Sequence, residues 1–171
     1  ARYPFGKYSN QAQLDITYAY YKNDEPDSAI AAADRFISTN PRSPHVDYAY
    51  YLRALTNYNR GISFMDRFLP TDTTQRDPVP AKEAQQQFNE LVTRFPNSIY
   101  AADSRERMTA LRNNIAMYEA NVAEYYLRRG AYVAAAKRCE NIIRDYQRTP
   151  AVPLALKMLE DAYRHLELNE L

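Results

Sequence analysis

The chain has 171 residues, with 22 Lys and Arg against 21 Asp and Glu, and a net charge of +1, so bulk charge predicts attraction to neither nucleic acid nor a membrane surface. Three glycines and many helix formers point to an all-α chain, and a single cysteine, Cys139, excludes an internal disulfide while leaving the redox compartment open. No run of about 18 apolar residues is present, so no segment can cross a bilayer as a helix.

The chain begins at Ala1, without Met, in the tail of a repeat. That reads as an excised fragment, with its first helices and any targeting segment upstream. Leu14, Tyr18 and Tyr21 stand at helical spacing and predict a first helix over 8–22. Asp24-Glu25-Pro26 breaks it and opens the next, its acids suited to a helix N-terminus. This second helix ends near Thr39, before Asn40-Pro41. Ser43-Pro44 reads as N-cap and first-turn proline of a third helix over 44–60. Gly61, Pro70, Pro78, Pro80 and the run Thr71-Asp72-Thr73-Thr74 then predict an insertion loop over 61–79, with one helical turn at Ile62–Phe68. A helix over 80–94 follows. Asn97-Ser98 caps a helix of about 30 residues over 99–129, in which Met108, Leu111, Ile115, Tyr118, Val122 and Tyr125 step by three or four. Such a length is too great for one repeat arm and predicts packing on two neighbouring hairpins. Gly130 ends it. Helix 132–146 follows, and Thr149-Pro150 caps a last helix over 150–167 that carries Leu154, Leu156, Leu159 and Tyr163.

A repeat underlies these elements. Arg2-Tyr3-Pro4, Thr39-Asn40-Pro41, Arg94-Phe95-Pro96 and Arg144-Asp145-Tyr146 with Gln147 punctuate helical pairs. Before three of these marks stands one small-to-large ladder at identical offsets: Ala29, Ala33, Phe36; Ala84, Phe88, Leu91; Ala135, Cys139, Ile142. Pro4 and Pro41 lie 37 residues apart, close to the ~34 of the tetratricopeptide template. The expected fold is an all-α, tetratricopeptide-like helical-repeat solenoid of antiparallel helix pairs. Its parts are N-terminal repeats (1–60), the insertion (61–79), central repeats with the long helix (80–129) and a C-terminal hairpin with the last helix (130–171).

Such scaffolds bind other chains and seldom do chemistry. His45 and His165 lie in different repeats, neither at metal-ligand spacing from the other or from Cys139. Cys139 sits on a ladder rung and reads as a small buried hydrophobe. There is no glycine-rich phosphate loop and no clustered carboxylate pair. No enzymatic activity, cofactor or metal is expected.

Two binding features stand out. The 37-residue offset pairs Gln11 with Tyr48, Leu14 with Tyr51, Tyr18 with Leu55 and Tyr21 with Tyr58. In this repeat type the first helix of each pair lines the concave surface. Tyr18, Tyr21, Tyr48, Tyr51 and Tyr58, with Lys22 and Asn59, would line one groove suited to an extended or aromatic-ended peptide. The plain alternative is that these rings pack between repeats. The second feature is the basic hairpin, where Arg128, Arg129, Lys137, Arg138, Arg144 and Arg148 surround Tyr132, opposed by Glu140 and Asp145. On a helical wheel Ala135, Cys139, Ile142 and Tyr146 form its buried face. Arg138 falls at the rim, while Lys137 and Arg144 point outward. An arginine at a rim beside an aromatic is a common interface anchor; the plain alternative is a solvated face.

Short matches in order along almost the whole chain add a resemblance. They include Arg2-Tyr3-Pro4-Phe5-Gly6, Tyr18-Ala19-Tyr20-Tyr21-Lys22-Asn23, Asp34-Arg35-Phe36-Ile37, Arg76-Asp77-Pro78, Val122-Ala123-Glu124-Tyr125-Tyr126 with Arg129-Gly130-Ala131, and Ile143-Arg144-Asp145-Tyr146. Through them the chain resembles the tetratricopeptide lipoproteins of the bacterial outer-membrane β-barrel assembly machinery (the BAM complex), the BamD family. One departure is Gln147, where the family usually has a repeat-ending proline; helix 132–146 would then fray later. The resemblance implies a non-enzymatic scaffold at the periplasmic face of the outer membrane, attached only through a lipid anchor outside this chain. It implies C-terminal repeats that hold the POTRA domain of the barrel insertase BamA, contacts with BamC and other BAM lipoproteins, and N-terminal repeats that meet unfolded outer-membrane proteins. Arg138, with Arg128, Arg129, Tyr132 and Arg144, would then meet acidic residues of BamA. Another tetratricopeptide co-chaperone or a pilus-biogenesis lipoprotein with a different client is the alternative.

Overall fold

The computed structural model describes residues 8–60 and 78–166. Seven helices run through them: α1 Ser9–Lys22, α2 Pro26–Thr39, α3 Val46–Asn59, α4 Val79–Arg94, α5 Ala101–Arg128, α6 Tyr132–Asp145 and α7 Ala151–His165. The described residues contain no strand. The chain divides into two compact units, the first holding α1 to α4 with α5 as far as Met108, the second the rest of α5 with α6 and α7. The N-terminal Arg2-Tyr3-Pro4 mark and the turn expected at Ile62–Phe68 lie outside the described residues.

The repeated ladder is the core. Ala29, Ala33 and Phe36 of α2, Ala84, Phe88 and Leu91 of α4, and Ala135, Cys139 and Ile142 of α6 are all fully buried. Offsets of four and three keep each set on one helical face. The alanines let a neighbouring helix approach, and the larger third residue fills the space beyond them. In the first unit α2 packs on α1 and α3, and α3 on α4. Leu14, Phe36, Val46, Ala49, Tyr50, Leu91 and Ala101 form its central cluster. In the second, Ala116, Ala120 and Ala123 of α5 join Cys139, Ile142, Ala151 and Ala155.

Polar ties reinforce the first unit. Arg53 of α3 donates to Asp34 of α2 at 2.8 Å and to Glu90 of α4 at 2.5 Å. Asp47 accepts a 2.7 Å bond from the hydroxyl of Ser98, in the turn before α5.

Two helix ends close the same way. After α1, Asp24 takes φ 58°, and the N–H groups of Asp24 and Glu25 bond the carbonyls of Tyr21 and Tyr20. After α5, Gly130 takes φ 73°, and the N–H groups of Gly130 and Ala131 bond the carbonyls of Leu127 and Tyr126. This crossed pair satisfies carbonyls that the helix leaves open. At Gly130 the positive φ makes glycine the natural residue.

Five expectations need correction. Helix α3 begins at Val46 rather than 44, because Ser43 and Pro44 belong to the preceding turn; the Ser43 hydroxyl instead accepts the His45 N–H. Thr149 does not cap α7: its hydroxyl donates to the Tyr146 carbonyl at 2.7 Å, and Pro150 is the N-cap. Helix α6 does not fray late at Gln147. It stops at Asp145, Arg148 turns the chain at φ 64°, and Arg112 of α5 donates to the carbonyls of Asp145 and Gln147. A cation at a helix C-terminus thus does the work of the missing proline. Finally, α5 begins at Ala101 rather than 99, and Ser98, whose hydroxyl accepts the Tyr100 N–H, lies in the turn before it. Leu154 and Leu156 of α7 are exposed, and alanines at 151, 155 and 162 are its fully buried residues.

Phe88→Ala should lower the free energy of unfolding by about 3–5 kcal/mol, since it empties a fully buried rung. Urea denaturation measures this; a loss below about 1 kcal/mol would show that the rung is not where the core is held.

Candidate functional site

The tyrosines expected to line a groove belong to the first unit, where they form two linked clusters. On α1, Tyr18 and Tyr21 lie 6.3 Å apart, with the Lys22 ammonium 5.4 and 5.7 Å from the two rings. Asn59 of α3 donates a 2.6 Å bond to the Tyr21 hydroxyl and so ties this cluster to the second. Tyr18 is 42% exposed, the most open ring among the groove residues.

The second cluster gathers around α3. Tyr51 stacks on Tyr100 at 4.7 Å, and Tyr48 lies 5.4 Å from the same ring. Tyr51 and Tyr58 each sit 6.2 Å from Phe88 of the α4 ladder. Tyr51 donates to Asp103 at 2.8 Å, Arg107 donates to the same carboxylate oxygen at 2.6 Å, and the Arg107 guanidinium lies 4.8 Å from the Tyr58 ring. The Tyr48, Tyr51 and Tyr58 rings are therefore half-buried, packed on one side and open on the other. Leu14, paired with Tyr51 by the repeat offset, is buried in the core and lines no surface.

Electrostatics follow from this packing. Burial, then the hydrogen bond to Asp103, pushes the Tyr51 hydroxyl up to about 12. Burial, then the neighbouring Tyr100, raises Tyr48. Burial also works to raise Asp103, but the hydrogen bonds from Arg107 and Tyr51 outweigh it and hold the carboxyl below its usual range. Asp103, Arg107 and Tyr100 escape sequence reading because they lie about 50 residues from their partners and belong to no periodic stripe.

The basic surface belongs to the second unit. Arg138 lies at the rim of the α6 ladder, its side chain 41% exposed, with Nη1 2.5 Å from Glu119 of α5. Arg128 is 3.8 Å from Glu124. Arg129 lies over the Tyr125 ring at 5.5 Å and donates to its hydroxyl at 3.1 Å. Arg144 grips Asp145 through two 2.9 Å bonds and Asn141 through a third. Tyr132 stacks on His165, rings 4.3 Å apart and 8° from parallel. Lys137 and Arg144 are exposed, and Tyr146 is half-buried beneath them. Beneath this surface Cys139 is fully buried, and burial pushes its thiol up to about 11, which leaves it inert near neutral pH. Among the described residues no three His, Cys, Asp or Glu side chains converge as a metal site, and no helix is long and apolar enough to cross a membrane.

The raised Tyr51 pKa has a testable consequence. A proton held more tightly in the folded chain stabilises the fold below the ordinary tyrosine value of 10.0, and this contribution is lost as pH climbs toward about 12. An alkaline absorbance titration should show a tyrosinate step near 12 that is missing from Tyr51→Phe. Retention of that step would assign it to another ring.

Comparison with known proteins covers the whole chain. The family model for YfiO, an outer membrane lipoprotein, matches residues 1–171. A Neisseria meningitidis protein named outer membrane protein assembly factor BamD is 48% identical over 167 residues, 98% of this chain and 62% of the relative. Proteins of the same name from Vibrio cholerae and Pasteurella multocida are 41% and 34% identical, over 99% and 100% of this chain and 70% and 66% of theirs. The chain thus spans about three fifths of the length of its Neisseria relative. With identity sustained across both units, the chain belongs to the YfiO family of outer membrane lipoproteins.

Proposed function

We propose that this chain is the non-enzymatic binding scaffold of an outer-membrane protein assembly factor of the BAM complex. It works at the periplasmic face of the outer membrane, held there by a lipid anchor. Its second unit holds acidic residues of the BamA POTRA domain, and its first unit takes segments of unfolded outer-membrane proteins. BamC and the other BAM lipoproteins are further partners.

The observation that carries this reading is the setting of Arg138. Glu119 pins Nη1, while Nε and Nη2 make no bond among the described residues. A guanidinium oriented by one carboxylate can receive a second along its open edge without searching for its geometry. Arg128 and Arg129 extend the positive surface, and the stacked Tyr132 and His165 add a flat aromatic face. Within the first unit, Tyr18 with Lys22 offers an open ring and a cation, whereas Tyr48, Tyr51 and Tyr58 supply a stiff wall behind them. An aromatic wall with a cationic tip suits an extended, aromatic-ended segment.

Two substitutions separate the surfaces. Arg138→Ala should weaken binding of a BamA POTRA fragment at least about tenfold, as expected for loss of a desolvated charge pair, with helical circular dichroism unchanged. Unchanged affinity would remove Arg138 from the interface. Tyr18→Ala should weaken binding of an aromatic-ended barrel peptide about three- to tenfold and leave POTRA binding alone. If peptide affinity stays at the wild-type value, the groove assignment fails and the rings serve packing.

A further inference from the structure

We propose that Lys22 is a specificity-determining residue of the tyrosine surface: it receives the C-terminal carboxylate of the bound segment while Tyr18 takes that segment's terminal ring. The occupant is thus a free chain end and not an aromatic residue inside a chain. The proposal rests on the reading of the first unit given above.

The charge of Lys22 is not already matched. Arg53, Arg60 and Arg107 of the same unit hold carboxylates, on Asp34 and Glu90, on Asp27 and on Asp103. Lys22 is exposed and has no ion-pair partner among the described residues. Aromatic rings hold it instead: its ammonium lies 5.4 Å from the Tyr18 ring and 5.7 Å from the Tyr21 ring. Tyr21 is itself fixed, its hydroxyl accepting the 2.6 Å bond from Asn59. Attraction to ring faces leaves the charge unneutralised, so the ammonium can still meet an anion.

Spacing decides which anion. Tyr18 and Lys22 are four residues apart and share one face of α1. In a chain-terminal aromatic residue the ring and the carboxylate hang from one Cα. A ring set against the open Tyr18 therefore brings its own carboxylate beside Lys22. An aromatic residue inside a chain offers a neutral amide there. The nearby acids are engaged elsewhere. Asp15 lies on the same face, about 10 Å back along the axis, and accepts the Gln11 amide at 2.8 Å. Asp24 lines a small pocket with Tyr21, Asn59 and Arg60, and Glu25 is the N-cap of α2. With Lys22 at one end of the Tyr18 ring and Asp15 at the other, a chain end is also oriented: carboxylate to Lys22, preceding N–H groups toward Asp15.

The test titrates the folded chain with one aromatic-ended barrel peptide in two forms, the free acid and the C-terminal amide, at low salt. The acid should bind about fivefold more tightly, and the preference should shrink as salt rises. Lys22→Gln should bind both forms with the affinity that the wild type has for the amide. Lys22→Arg should restore the preference, each variant with unchanged helical circular dichroism. Equal binding of the two forms by the wild type, or a preference that survives in Lys22→Gln, overturns the proposal. If Tyr18→Ala then still weakens both forms, the groove reading stands and Lys22 is no more than a cation in the last turn of α1. Failure of the wild-type chain to bind either form removes both readings.

Discussion

Close helix approach over alanine is the constraint on which the rest of the structure depends. Each ladder opens on a small residue that allows proximity and ends on a large one that fills; α2 and α6 have two small rungs, while α4 has Phe88 in the middle. Burial of that large side chain contributes about 1.5–3 kcal/mol, but its position is fixed only because the alanines bring the neighbouring helix within reach. The same device recurs where no ladder was recognised, at Ala116, Ala120 and Ala123 of α5 and at Ala151, Ala155 and Ala162 of α7. With small residues holding the interior, large aromatic side chains are left for the outer faces. Among the described residues every tyrosine but the buried Tyr50 is half-buried or exposed, apolar enough to pack and polar enough to face water.

The proposed function rests on those outer faces. On each unit a carboxylate orients a cation. In the first, Asp103 receives both Tyr51 and Arg107 and so fixes a ring and a guanidinium in one network. In the second, Glu119 holds Arg138 at the rim of a fully buried helix face. Preorganised aromatic and arginine side chains lose little freedom on binding, which favours recognition of other chains over chemistry. The arrangement agrees with membership of a family of outer membrane lipoproteins whose relatives are named assembly factors.

The ladders were legible in the sequence because three copies at identical offsets leave little room for another period. The extent of α5 was nearly as plain, since no proline or glycine interrupts 99–129. What stayed hidden has a common physical cause. Large residues draw the eye to a stripe, yet in α7 and the second half of α5 alanine marks the core, and Leu154, Leu156 and Tyr125 stay outside. Contacts between distant positions were likewise silent. Tyr51 with Asp103, Arg138 with Glu119 and Arg112 with the end of α6 join residues that no local pattern connects. The tyrosines expected to line a groove lie in one unit; Tyr100, Phe88 and Arg107, against which Tyr51 and Tyr58 pack, emerge only from the fold.

The central claim is that this chain recognises its partner through an oriented cationic surface. Isothermal titration of the wild-type chain with the POTRA region of BamA, at ~0.05 M and ~0.5 M salt, tests it most directly. The account predicts saturable binding that weakens as salt rises. A chain that is demonstrably helical and folded yet shows no binding at either salt concentration would contradict it.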